Sequence, residues 1–322
     1  MKKERVGLTI WRAIFPLLLF LAVDTVLTMI LMYGYMGYEA FELVQSGKKI
    51  TQETIKELTE NSTNFVMKYS LWLMILRSAI LIPIFFVFMN KDNKRARKMG
   101  TYVEYESYNR AWLLILIPIG FVSCIGFNNF VSIVIDGLQS ALDSLLSSLG
   151  TDFEYNLMEG FESTANVIYS GGIVLQILAT CVCAPLVEET LMRGLMYKRL
   201  RGIMGATPCM LITSAIFGLI HMNIVQFIYA FCVGIICAYV YEKFKTIVAP
   251  IILHCSANFL SVMITLAMSD TQIPKDEVPS IGYYMLLTVI CLAIIFALLF
   301  IVEKKLNRKA IVAEPREESL EK

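Results

Sequence analysis

The chain has 322 residues, 57% hydrophobic and 17% charged, which is more apolar surface than a soluble domain needs for its core. A formal net charge of +1 excludes a nucleic-acid partner held by counterion release, since that requires a concentrated basic surface. These proportions predict an all-α polytopic membrane protein whose principal surroundings are the lipid bilayer.

Taken from the N-terminus, apolar stretches of roughly the 20 residues needed to cross the hydrocarbon layer recur near 9–33, 65–89, 111–136, 167–189, 204–221, 224–242, 247–268 and 282–302, predicting about eight spans. The first follows Met-Lys-Lys-Glu-Arg, but it is too long for a signal-peptide core and no small-residue cleavage site follows it, so it reads as a retained span. Between spans the charge alternates. Lys91, Lys94, Arg95, Arg97 and Lys98 follow the second span, Lys198, Arg199 and Arg201 the fourth, Lys243 and Lys245 the sixth, and Lys304, Lys305 and Arg308 the eighth. No Lys or Arg lies between Trp112 and Met192, where the connecting loop carries Asp143, Asp152, Glu154, Glu159 and Glu162. The positive-inside rule turns this pattern into cytoplasmic N- and C-termini.

Residues 47–63 have loosely helical apolar spacing and predict a short surface helix on the outer side. Residues 137–150 place Leu138, Leu142, Leu145, Leu146 and Leu149 on one face, as for a helix lying in the interface. Both segments also fit as plain connectors. The polar tail from Ala310 is expected to be disordered. The eight cysteines are scattered through apolar segments without a CxxC, and they read as small packing residues.

Ionisable groups within spans mark function or a specific pairing. Asp24, Arg77, Lys68 and Asp136 are isolated; Asp24 and Arg77 could pair across a helix interface, and Lys68 and Asp136 could reach an interface by snorkelling. The others cluster. In Glu188-Glu189-Thr-Leu-Met-Arg193, Glu189 and Arg193 are four apart and share a helix face, so they can form an ion pair. Glu188, rotated by about 100°, has no partner on its own helix and is the carboxylate free to hold a water as general base. Phe217 and His221 lie one turn apart, and His254 and Asn258 repeat that spacing. These are the only two histidines of the chain.

Peptide hydrolysis needs a base that activates water and donors aimed at the developing oxyanion. Glu188 with one histidine supplies the first, and the other histidine with the Asn258 amide supplies the second. The same groups, Glu188, His221 and His254, could instead hold Zn²⁺ with a water position left open. A proton relay in a transporter, or a non-catalytic membrane scaffold, draws on the same residue types.

The three motifs EETLMR at 188–193, FGLIH at 217–221 and HCSAN at 254–258 resemble, in order and on separate predicted helices, the EExxxR, FxxxH and HxxxN pattern of the CAAX-protease and bacteriocin-processing (CPBP, or Abi) family of intramembrane proteases. The resemblance covers roughly 165–265 and implies a helical membrane endopeptidase acting on a peptide or membrane-associated protein, in a bacterial cell membrane. It implies Glu188 as base, His221 as a water-holding group, and His254 and Asn258 as oxyanion stabilisers. Glu189, Arg193 and Phe217 would shape the site or contact substrate, and a metal-free mechanism is favoured. The chain then divides into N-terminal helices and loops (1–160), a catalytic membrane core (161–305) and a cytoplasmic tail (306–322).

The drawn spans carry one conflict. They put Glu188 at the inner end of the fourth span and His221 at the outer end of the fifth, about 27 Å of helix apart. For the two to meet, the fourth helix must run on through Arg199, and the 204–242 hairpin must turn near Asn223 before reaching the outer surface.

Overall fold

The computed structural model describes residues 6–105, 107–151, 155–162, 171–268, 280–306 and 310–311. Among these, the main helices are α1 (Val6–Gln45), α2 (Gln52–Lys68), α3 (Ser70–Lys98), α4 (Leu116–Ser148), α5 (Ile173–Leu200), α6 (Ala206–Leu219), α7 (Ile224–Phe244), α8 (Val248–Met268) and α9 (Ile281–Lys305). A 3₁₀ turn over Arg110–Ile115 leads into α4. Seven of the helices are long and apolar enough to cross a membrane. The chain is therefore an all-α, multi-pass integral membrane protein. The difference from eight expected spans lies in α6, which has only 14 residues.

Three sequence expectations are corrected. The 65–89 stretch begins at a break: Tyr69 separates α2 from α3, so Lys68 closes the polar α2 instead of entering a span. Thr51 caps α2, with its hydroxyl accepting from the Thr54 N–H and the Thr54 hydroxyl accepting in return from the Thr51 N–H. Residues 137–148 are not a separate interfacial helix but the last turns of α4, which stops at Gly150 with φ of 68°. The tail is ordered further than expected. Leu306 is buried, and Ala310–Ile311 (β2) pairs antiparallel with Glu104–Tyr105 (β1). The rest of the tail lies outside the described residues.

Helix α5 is the axis of the bundle, buried on every side from Val187 to Tyr197. One core joins it to α1 and α3 through Ala13, Phe20, Leu81 and Phe85, so the regions on either side of residue 160 share their packing. A second core gathers α4, α7, α8 and α9. Here backbones approach closely. A Cβ at Gly120 would stand 2.5 Å from the Leu253 carbonyl oxygen of α8, and one at Gly126 would stand 2.6 Å from Cys291 Cβ of α9. All eight cysteines are free thiols, and five of them are buried.

Polar ties gather at one end of the bundle. Asp92 of α3 accepts from Arg12 of α1 at 2.5 Å and from Arg199 of α5 at 2.7 Å. Glu242 of α7 accepts from Tyr197 at 2.9 Å and Arg201 at 3.1 Å. These bonds clamp one end of α1, α3, α5 and α7, where Arg12, Arg199 and Arg201 collect.

Candidate active site

Helix α5 runs to Leu200, past the expected 189, and α6 ends at Leu219 in a tight turn. Met222 takes φ of 55° in that turn, and Asn223 caps α7, its Oδ1 accepting from the N–H of Val225 at 2.9 Å and of Gln226 at 3.1 Å. A long α5 beside a short hairpin removes the depth conflict. Glu188 and His221 line one cavity of about 520 Å³, together with Phe217, His254 and Asn258.

The helix carrying both glutamates is not regular. Ile177–Cys183 and Thr190–Tyr197 are π-helical, and the α-helical turn Ala184–Glu189 lies between them. π-Turns disturb the ordinary i→i−4 ladder, which in an apolar medium is tolerable only if the affected carbonyls find other donors. They do. Asn258 Nδ2 of α8 donates to the Thr180 carbonyl at 2.8 Å, and the Ser78 hydroxyl of α3 shares its hydrogen between the Met74 carbonyl at 2.8 Å and the Cys183 carbonyl at 3.2 Å. The Thr180 and Thr190 hydroxyls donate back to Gln176 and Leu186 at 2.7 and 2.6 Å. Neither Thr180 nor Ser78 is marked by the three motifs; the only sequence signal for them is a polar residue inside an apolar span.

Around this frame the ionisable groups fall into order. Arg193, with no solvent exposure, donates from Nη1 to Glu189 Oε1 at 2.8 Å and from Nη2 to the Gly234 carbonyl of α7 at 2.7 Å. Glu189 Oε1 also accepts from His254 Nδ1 at 3.0 Å. Because a carboxylate only accepts, the His254 proton sits on Nδ1, and Nε2 is turned to Glu188, 3.9 Å from its Oε2. That gap is too long for a direct hydrogen bond and fits one bridging water. His221 Nδ1 donates to the Phe217 carbonyl at 2.8 Å, which likewise leaves Nε2 for another partner. The Phe217 ring meets both imidazoles edge-on, with centroids 5.1 Å from His221 and 5.7 Å from His254, and the Arg193 guanidinium lies 5.2 Å from its centre.

One Asn258 amide hydrogen is thus spent on Thr180, leaving one for any other acceptor. Among the described residues, no three His, Cys, Asp or Glu side chains converge as a metal ion requires. The separation of His254 Nε2 from Glu188 is wide for two ligands of one zinc. As arranged, these residues do not fit a resident metal.

Asp24 and Arg77 pair at 2.7 Å across α1 and α3, and both stand on the wall of the same cavity. Sequence reasoning foresaw the pair and left it apart from the site.

Fold and site together define a helical membrane protein with a buried Glu-Glu-Arg-His cluster opening on an internal cavity. Residues 170–260 match the family model described as Rce1-like, type II CAAX prenyl endopeptidase Rce1-like, and that segment contains all three motifs. No curated protein and no solved structure matches the chain.

Proposed function

We propose that this protein is an intramembrane endopeptidase in which Glu188 activates a water for attack on a peptide carbonyl. The carrying observation is the division of labour between adjacent carboxylates: Glu189 is buried and tied through Oε1 to Arg193 and His254, while Glu188 lines the cavity with its Oε2 3.9 Å from His254 Nε2. Charge balance supports it. Arg193, Glu189, Glu188 and His254 are together neutral when one proton is held between Glu188 and His254, the state a low-dielectric interior favours. With that proton on His254, Glu188 is a carboxylate able to take a proton from water. His254 Nε2–H is then a donor for the oxyanion, backed by the negative Glu189. His221, with its proton on Nδ1, offers Nε2 as an acceptor that orients the attacking water. The proton taken by Glu188 passes to the leaving amine as the tetrahedral intermediate collapses.

No step in this scheme needs a metal. The orientation proposed is cytoplasmic termini. The β1–β2 ribbon brings the loop after α3 to the same end as the segment after α9, and Lys245, closing α7, sits over the Tyr105 ring at 5.4 Å. Basic residues gather there as the positive-inside rule demands.

The test compares peptides released in membranes of cells carrying wild-type or Glu188→Ala protein, by mass spectrometry. Products made by wild type and lost in Glu188→Ala are expected. Identical peptide profiles, with both proteins inserted at equal levels, would sink the reading.

A further inference from the structure

The cavity that the cluster borders carries further charge on its wall. Asp24 and Arg77 lie on α1 and α3, outside the segment that matches the family model, yet they border the same space as Glu188 and His254. The pair is lopsided. The Arg77 side chain is 11% exposed and the Asp24 side chain 46%, and their contact is a single bond from Nη1 to Oδ1. The Phe20 ring lies 4.6 Å from the guanidinium carbon. Arg77 Nε is buried and makes no hydrogen bond. The pair meets at one point only, so a second carboxylate can compete for the guanidinium. Here the cation is the less exposed partner and the anion the more exposed, replaceable one.

We infer that Arg77 is a substrate-binding residue that takes a carboxylate of the peptide, with Asp24 as its counter-ion until the peptide binds. This rests on the peptidase reading and adds a substrate requirement to it. Once Asp24 is displaced, the terminal amino groups of the guanidinium match a carboxylate in two-point geometry, and such a contact fixes where the chain lies relative to Glu188. Asp24, with 46% of its side chain exposed, is the partner with room to turn away. The carboxylate has two sources in a peptide, its C-terminus or an Asp or Glu side chain.

The test uses full-length protein in lipid nanodiscs and a quenched fluorogenic decapeptide pool, part farnesylated, made in three forms: free C-terminus, C-terminal amide, and free C-terminus without Asp or Glu. Removing a charge-assisted contact lowers the initial rate about tenfold or more. Arg77→Gln is expected to lose that factor on the free-acid pool. The pool form lacking the recognised carboxylate should lose the same factor with wild type and nothing further with Arg77→Gln. Loss on amidation assigns the C-terminus, and loss on removing Asp and Glu assigns a side chain. The exchanged pair Asp24→Arg/Arg77→Asp restores the ion pair and controls for folding; it should not restore the rate. Equal effects of Arg77→Gln on all three pools, or full rescue by the exchanged pair, would overturn the inference while leaving the peptidase reading intact. No cleavage of any pool by wild type, with Glu188→Ala equally silent, counts against the peptidase reading and removes this one with it.

Discussion

His254 donates from Nδ1 to Glu189 at 3.0 Å and turns Nε2 toward Glu188 at 3.9 Å, so one imidazole connects a carboxylate paired with Arg193 to one that lines the cavity. Exchanging each glutamate for glutamine should therefore give different failures. Glu188→Gln keeps the shape and the apolar packing and loses the base; activity should fall by about 10²-fold or more, with thermal stability unchanged. Glu189→Gln leaves Arg193 buried without its counter-ion, a loss of about 3–5 kcal/mol when one partner of a buried pair is removed. Its melting temperature in detergent should drop along with activity. Equal stability of the two variants would refute the assignment.

Asn258 ties α8 to the π-helical turn of α5 through the Thr180 carbonyl. Asn258→Ala abandons a carbonyl in an apolar setting, costing about 1–3 kcal/mol, and Asn258→Asp replaces the donor by an acceptor. Both variants should melt lower than wild type, and the aspartate variant should be no more stable than the alanine one. A melting temperature unchanged in both would show that Asn258 has no structural task and serves substrate alone.

Gly218 sits where α6 meets α7: a Cβ there would come within 2.8 Å of the Phe227 carbonyl oxygen and ring. The backbone oxygen cannot step aside without moving α7. Gly218→Ala should spread the hairpin and displace Phe217 and His221, which flank it on α6 and in the turn. Activity should fall at least tenfold, while membrane insertion persists because the apolar length of α7 is untouched. Retention of full activity would mean that the hairpin spacing does not set the site.

Much of this was legible in sequence because the bilayer simplifies the problem: apolar length marks spans, and any ionisable group inside one stands out. Glu189 with Arg193 follows from helical spacing alone, and the turn near Asn223 follows from requiring that Glu188 and His221 meet. Two kinds of feature were not legible. The π-helical turns leave no periodic signature, since an all-round buried helix such as α5 has no polar face whose drift would reveal them. The join of α2 and α3 at Tyr69 was hidden because apolar residues at 65–67 extend the hydrophobic run across the break. The placing of Arg77 and Asp24 on the cavity that Glu188 and His221 line needs tertiary structure, because nothing local to α1 or α3 says which face looks inward.

The last prediction concerns metal. Both imidazoles hold their Nδ1 protons on protein acceptors, Glu189 and the Phe217 carbonyl, an arrangement that suits zinc ligands as well as organic acid–base groups. What separates the two is convergence. Two ligands held at about 2.0–2.2 Å by one tetrahedral zinc stand about 3.3–3.6 Å apart; His254 Nε2 and Glu188 Oε2 are 3.9 Å apart, and among the described residues no group of three acids, cysteines or histidines converges. Purified protein should carry less than stoichiometric zinc by elemental analysis, and 1,10-phenanthroline should leave peptide cleavage unchanged. One zinc per chain, lost in both Glu188→Gln and His254→Ala and needed to restore activity after chelation, would replace the glutamate mechanism with a metal-dependent one.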